Sequence, residues 1–132
     1  MNLHRVGPHE LGRLGEHFAA EHLRRDRMQV LARNWRHRRG EIDLIARQAD
    51  VVVFCEVKTR RSQRYGALDA VDGEKLRRIA WLARTWLHEH CRSDQPWRID
   101  RMALTVADAR RIELEHHWGK STWVTAAPTR SA

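Results

Sequence analysis

The chain has 132 residues, the size of one domain, and that is long enough to bury a core without help from a disulfide or a structural metal. Lys and Arg outnumber Asp and Glu 25 to 17, the net charge is +8 and the pI is near 10.9; this balance favours a polyanionic partner, nucleic acid ahead of an anionic membrane. No apolar run approaches the ~20 residues that span a bilayer, the opening MNLHRVGPHE has no apolar signal core, and the two cysteines make no disulfide framework, so a cytoplasmic protein without membrane contact is expected.

Residues 1–8 read as a frayed lead-in. Helical spacing then predicts a helix over His9–Asp26, with Leu11, Leu14, Gly15, Phe18 and His22 on its buried stripe. Gly12 and Gly15 fit close helix–sheet packing better than phosphate binding. A first strand is expected over Met28–Trp35. GEIDLIAR from Gly40 and DVVVFCEVK from Asp50 are two further strands, rich in Ile, Val and Leu. Thr59–Asp72 is polar and Arg-rich, includes Gly66 and reads as a mobile loop. Gly73–His90 is a second helix, with Asp72 as N-cap and Leu76, Ile79, Ala80, Ala83, Trp86 and Leu87 forming one stripe. Ser93–Pro96 is a turn. Arg98–Val106 and Arg111–Trp118 close the chain as two strands around Asp108. The expected organisation is a single domain over residues 1–118 and a loose tail over 119–132.

The hairpin made by GEIDLIAR and DVVVFCEVK carries the chemistry. A two-residue turn at Ala49–Asp50 pairs Gln48 with Val51, and the register then runs back until Asp43 faces Glu56. Lys58, two residues on, shares the face of Glu56. Directly opposed residues lie roughly 4.5–5.5 Å apart at Cβ, so two acids there repel unless a cation intervenes. A divalent metal beside an ammonium is one arrangement that cleaves phosphodiesters. The plainer reading is an amphipathic hairpin with a polar face. Against it, VVVF is a continuous apolar run typical of a strand buried on both faces, where unpaired charge is costly. Arg33, Arg36, Arg38 and Arg39 lead into the first strand of the hairpin, and Arg60, Arg61 and Arg64 follow the second. Antiparallel pairing sets these groups side by side as a basic collar.

The element order α-β-β-β-α-β-β, with acids on the second and third strands, resembles the restriction-endonuclease-like nucleases, whose motif is an acid followed by (D/E)xK. Asp43 and Glu56-Val57-Lys58 fill those places. The resemblance is closer still to the YraN-type bacterial family, which is similar to archaeal Holliday-junction resolvases. It is carried by GxxGE at Gly12–Glu16, RN at Arg33–Asn34, GEIDLIA from Gly40, FCEVKTR from Phe54, Lys75 and, more weakly, RID at Arg98–Asp100. The resemblance implies an α/β, restriction-endonuclease-like three-layer domain with a mixed central β-sheet flanked by helices, acting as a Mg²⁺- or Mn²⁺-dependent endonuclease on nucleic acid, DNA first. It implies Asp43, Glu56 and the Val57 carbonyl as metal ligands, Lys58 as the group that orients water or stabilises phosphate charge, and Glu16 as a further site acid. Hard cations prefer such oxygen ligands. Cys55 stands where the family has an aliphatic residue. Arg101 and Met102 stand where apolar residues are expected, which leaves the burial of that strand open.

Other residues are less specific. Glu41 shares a strand face with Asp43 and sits opposite Lys58, with which it can pair. Asn34 is a turn residue or a rim group. Lys75 is expected at the DNA backbone. His88 and Cys91 share a helix face at i,i+3, too little for a zinc site. Trp81 falls off the apolar stripe of its helix and suits a dimer interface, a stacked base or packing beneath the loop. The alternative to an enzyme is a binding module for structured nucleic acid with little or no catalysis. Cutting both strands of a junction calls for two sites, so a homodimer is expected for that substrate.

Overall fold

The computed structural model describes residues 1–62 and 73–120. A 3-10 turn, Leu3–Arg5, precedes helix α1 (Pro8–Arg25). Strands β1 (Gln29–His37), β2 (Gly40–Gln48) and β3 (Val51–Arg60) follow, then helix α2 (Gly73–Glu89) and strands β4 (Trp97–Asp108) and β5 (Arg111–His117). The strands lie in sequence order in one sheet. Every neighbouring pair is antiparallel except β3–β4. That single parallel joint requires a crossover, and α2 lies within it.

The two helices cover opposite faces of the sheet. Ala19, Ala20 and Leu23 of α1 pack with Leu44, Ala46, Val53, Cys55, Met102 and Leu104. Leu82, Ala83, Trp86 and Leu87 of α2 pack with Ile42, Ile45, Val52 and Phe54. The result is the expected three-layer α/β domain. β3 lies between these two cores, and Val52 through Cys55 are all buried, as a strand covered on both faces should be. β4 is buried over Met102–Val106. The doubt raised by Arg101 and Met102 therefore resolves in favour of a core strand: Met102 faces α1 and Arg101 stays half-exposed.

Several expectations change. The lead-in is docked, because Leu3 and Val6 are buried against Leu11 and Val106, and the Leu3 N–H donates to the Ala109 carbonyl at 2.7 Å. The apolar stripe of α1 is rotated from the one expected. Ala19, Ala20 and Leu23 face inward while Phe18 is 43% exposed and His22 half-buried. Small alanines let the helix approach the sheet, and a phenylalanine at their position would hold it off. Gly15 shows the same closeness: a Cβ there would lie 1.8 Å from Thr59 Oγ1. Gly12 faces open space, so close packing explains Gly15 and not Gly12. In α2 the stripe gains Leu82 as a buried member, and Leu76 and Ala80 are half-buried. Gly119 is packed too, since its Cβ would meet the Ile99 carbonyl oxygen at 2.0 Å. The expected loop around Gly66 and the Asp72 cap lie outside the described residues, as does most of the expected tail. Among the described residues no helix is long and apolar enough to cross a membrane.

Candidate active site

The β2–β3 ladder begins at Gln48↔Val51, as the two-residue turn requires, and runs back to Leu44↔Cys55. It stops there, one pair short of the expected Asp43–Glu56 opposition. Asp43 is where the alternation of β2 breaks. Leu44 and Ala46 face α1, whereas Ile42 and Ile45 both face α2. Freed from a strict side, the Asp43 carboxylate turns into the gap between the strands and its Oδ2 accepts a hydrogen bond from the Val57 N–H at 2.8 Å. A side-chain oxygen thus takes the place that a β2 carbonyl would have held.

Asp43 is the most perturbed acid of this region. Burial pushes its pKa up from 3.8 to about 6. The Val57 hydrogen bond works against that rise, and the negative charges of Glu16, Glu41 and Glu56 add to it. Glu16, expected at the site rim, is therefore within electrostatic reach of Asp43. Its placement follows from the residue before it. Because Gly15 has no side chain, α1 can lie against Thr59 on β3, and this carries the half-buried Glu16 toward the end of the β2–β3 gap.

Glu56 lies on β3 and its side chain is 18% exposed. It forms an ion pair with Lys75 from the first turn of α2. Lys75, expected at a nucleic-acid backbone, is thus engaged with a site acid. Lys58 is exposed. Glu41 accepts a hydrogen bond from Arg36 Nε at 3.0 Å. Asn34 adopts a left-handed backbone, φ 51°, as a turn-forming residue can.

The basic collar divides. Arg33, Arg36, Arg38 and Arg39 are exposed. The guanidinium of Arg39 lies 4.6 Å from the ring centre of Trp81, within cation–π range. His37 meets the same ring edge-on at 5.2 Å. Trp81 is therefore half-buried in its own fold, on the wall of a 630 Å³ cavity lined also by Lys75, Arg77, Arg78 and Arg84. Arg60 is half-buried. Arg61, expected in the collar, also makes a structural contact: it donates to the carbonyls of Leu3, at 3.2 Å, and of Val6, which anchors the lead-in. Arg64 lies outside the described residues.

Arg98 and Asp100 of the RID motif form a buried pair. Arg98 Nε donates to Asp100 Oδ1 at 2.8 Å and its Nη1 to Gln48 at 2.9 Å, while its guanidinium lies over Trp118 at 4.1 Å. The Gly119 N–H donates to Asp100 at 3.0 Å. Burial alone would raise the Asp100 pKa, but hydrogen bonds from His116, Arg98 and Gly119 outweigh it and hold the carboxylate below its usual range. This pair locks β4, β5 and the hairpin turn together.

The profile of the uncharacterised protein family UPF0102 matches residues 15–104. This chain belongs to UPF0102. It is 47% identical over 110 residues to a UPF0102 protein of Parafrankia sp. strain EAN1pec, covering 83% of this chain and 93% of that one. It is 43% identical over 108 residues to a UPF0102 protein of Renibacterium salmoninarum, covering 81% and 92%, and 44% identical over 110 residues to one of Chloroflexus aurantiacus, covering 80% and 88%. The matched span of the UPF0102 profile takes in Glu16, Asp43, Glu56, Lys58, Lys75, Arg98 and Asp100.

His90 stacks on Trp86 at 4.0 Å, and Cys91 is exposed in a left-handed turn. His116, near the end of β5, meets His22 and Asp26. Among the described residues these form the one group of three or more His, Cys, Asp or Glu ligand atoms that closes to within 4.8 Å. Only the H-x-x-x-D spacing of His22 and Asp26 signals it in the sequence.

Proposed function

We propose that this UPF0102 protein is a nucleic-acid-binding, metal-dependent endonuclease that hydrolyses phosphodiester bonds, with DNA as the first substrate to test. The observation that carries this reading is Asp43, a mostly buried carboxyl raised to about 6 with Glu16, Glu41 and Glu56 around it. Nothing in the packing of the fold calls for acids there, and a cation would relieve them. Asp43, Glu56 and the Val57 carbonyl are the residues to hold Mg²⁺ or Mn²⁺, and hard oxygen donors suit either ion. When bound, such an ion supplies phosphoryl polarisation and a more acidic water.

The residues of the chain itself do the rest. Arg38 and Arg39, exposed at the β1–β2 turn, hold phosphates and set the strand's path without reading sequence. Trp81 and Arg39 offer a stacked platform beside the Lys75 end of the cavity. Lys58, exposed next to Glu56, stabilises charge that develops on the phosphate. Glu16 shares the load of positive charge with Asp43. A symmetric dimer supplies the second site needed to cut both strands of a duplex or junction.

A second reading has its own support. Lys75 already neutralises Glu56, an arrangement that suits a binding module as well as an enzyme. One assay separates them: cleavage of linear duplex, four-way junction, flap, single-stranded DNA and structured RNA with Mg²⁺, Mn²⁺ or EDTA. Metal-dependent cutting that disappears in Glu56→Ala and in Lys58→Ala supports the nuclease. Salt-sensitive retention of one structure without cutting, unchanged in both variants, supports the binding module. Metal binding that survives in an Asp43→Ala, Glu56→Ala double variant overturns the ligand assignment.

A further inference from the structure

His22 stands on the last turn of α1, and Asp26, four residues on, caps the same helix. His116 comes from β5 and its side chain is 6% exposed. His22 Nε2 lies 3.1 Å from His116 Nδ1 and 3.4 Å from Asp26 Oδ2. On its far side His116 Nε2 lies 2.7 Å from Asp100 Oδ2.

Those contacts set which nitrogen faces which group. Asp100 Oδ2 accepts at 2.7 Å, so His116 Nε2 is the nitrogen that donates to it and Nδ1 is the one that faces His22. The His22 Nε2 carries at most one proton, yet both His116 Nδ1 and Asp26 Oδ2 converge on it as acceptors. One proton cannot satisfy both at full strength. A cation among the three atoms can.

The spacing favours a small transition metal. With metal–ligand bonds of about 2.0–2.1 Å, tetrahedral ligands stand about 3.3 Å apart. The two distances found, 3.1 and 3.4 Å, bracket that value, and all three ligand atoms lie within 4.8 Å of one another. The outer contacts are those that metal-binding histidines have: a carboxylate on the opposite ring nitrogen fixes the tautomer, and here Arg98 holds that carboxylate in turn.

We propose that His22, Asp26 and His116 form a zinc-class metal site, separate from the acids of the β2–β3 gap, with its fourth position open to solvent. Two imidazoles and one carboxylate suit Zn²⁺ and not Mg²⁺. Because His22 and Asp26 belong to α1 and His116 to β5, a bound ion clasps the end of the helix to the edge of the sheet. The site does not depend on the nuclease reading.

The test is calorimetric titration of the metal-free full chain with zinc chloride, with thermal unfolding run in parallel. One saturable zinc per chain and a raised Tm are expected. His22→Gln and Asp26→Asn, both at partly exposed positions, should each lose the tight binding and the Tm rise, while keeping the metal-free Tm within the range of a surface substitution. The Asp43→Ala, Glu56→Ala double variant should keep both. Absence of saturable zinc binding in the unaltered chain overturns the proposal and identifies the cluster as a hydrogen-bonded latch. Equal zinc binding by His22→Gln and Asp26→Asn overturns it as well, and zinc lost with the Asp43 and Glu56 carboxylates reassigns the ion to the other site.

Discussion

At the scale of single residues, Asp43 works against the fold that holds it. Its pKa in the folded chain, about 6, is above its ordinary 3.8. The folded state therefore holds the proton more tightly than the unfolded state between those values, and stability falls as pH rises through that window. Above it the charged carboxylate costs up to about 3 kcal/mol, on the scale of 1.36 kcal/mol per pKa unit. Asp43→Asn keeps an acceptor for the Val57 N–H and removes the charge. We expect it to raise stability in metal-free buffer at pH 7 and to give no gain near pH 3.5, as read from urea midpoints at the two values. The cation proposed for Glu56 and Asp43 must displace the same proton. Its affinity should climb with pH up to about 6 and level off above, as titrations with Mn²⁺ would show. Lys75 sets a further expectation. Lys75→Gln takes the competing charge from Glu56 and should tighten Mn²⁺ binding; weaker binding would mean that Lys75 helps to build the site.

At the scale of elements, α1 is placed by what its residues lack. Gly15→Ala would drive a methyl group into Thr59, at a cost of about 1–3 kcal/mol typical of overpacking. Thr59→Ala should restore much of it, so a double-mutant cycle on chemical denaturation will show strong coupling. Gly15→Ala alone should also weaken the hold of Glu16 on Asp43 and lower the Asp43 pKa measured by NMR titration. The helices, the strands and the turn at Ala49–Asp50 were all legible in the sequence, because each is written in local spacing. The rotation of α1 was not: periodicity places Phe18 and Ala19 on neighbouring faces, and only the distance to the sheet decides which turns in. The break at Asp43 was hidden for a related reason. An ideal strand alternates, and the departure is compensated by an N–H on a different strand.

For the whole molecule, contacts distant in sequence divide the arginines between structure and surface. Arg61→Ala removes the tie to Leu3 and Val6 and should lower Tm while leaving nucleic-acid affinity nearly intact. Arg39→Ala should do the reverse, and its binding should fall less steeply with salt than that of the unaltered chain. Filter binding across a salt series, beside thermal scans, checks both. Composition and charge made the basic surface visible, and the acids proposed to hold a metal were legible through GEIDLIA and EVK. The histidine cluster was not, since His22 and His116 meet only after α1 and β5 are packed.

The single parallel joint of the sheet has a kinetic consequence. β1, β2 and β3 form an antiparallel meander of near neighbours, whereas β4 reaches β3 only after the chain has travelled from Arg60 to Trp97. Local contacts close first because closing a long loop costs more entropy. The meander should therefore be structured in the folding transition state, and the β4–β5 half should dock afterwards. Val53→Ala should slow refolding, and Leu104→Ala should mainly speed unfolding. Asp43 and Glu56 would then approach each other before the Arg98–Asp100 pair exists, so the nascent chain brings these two like charges together while half of the fold is still missing.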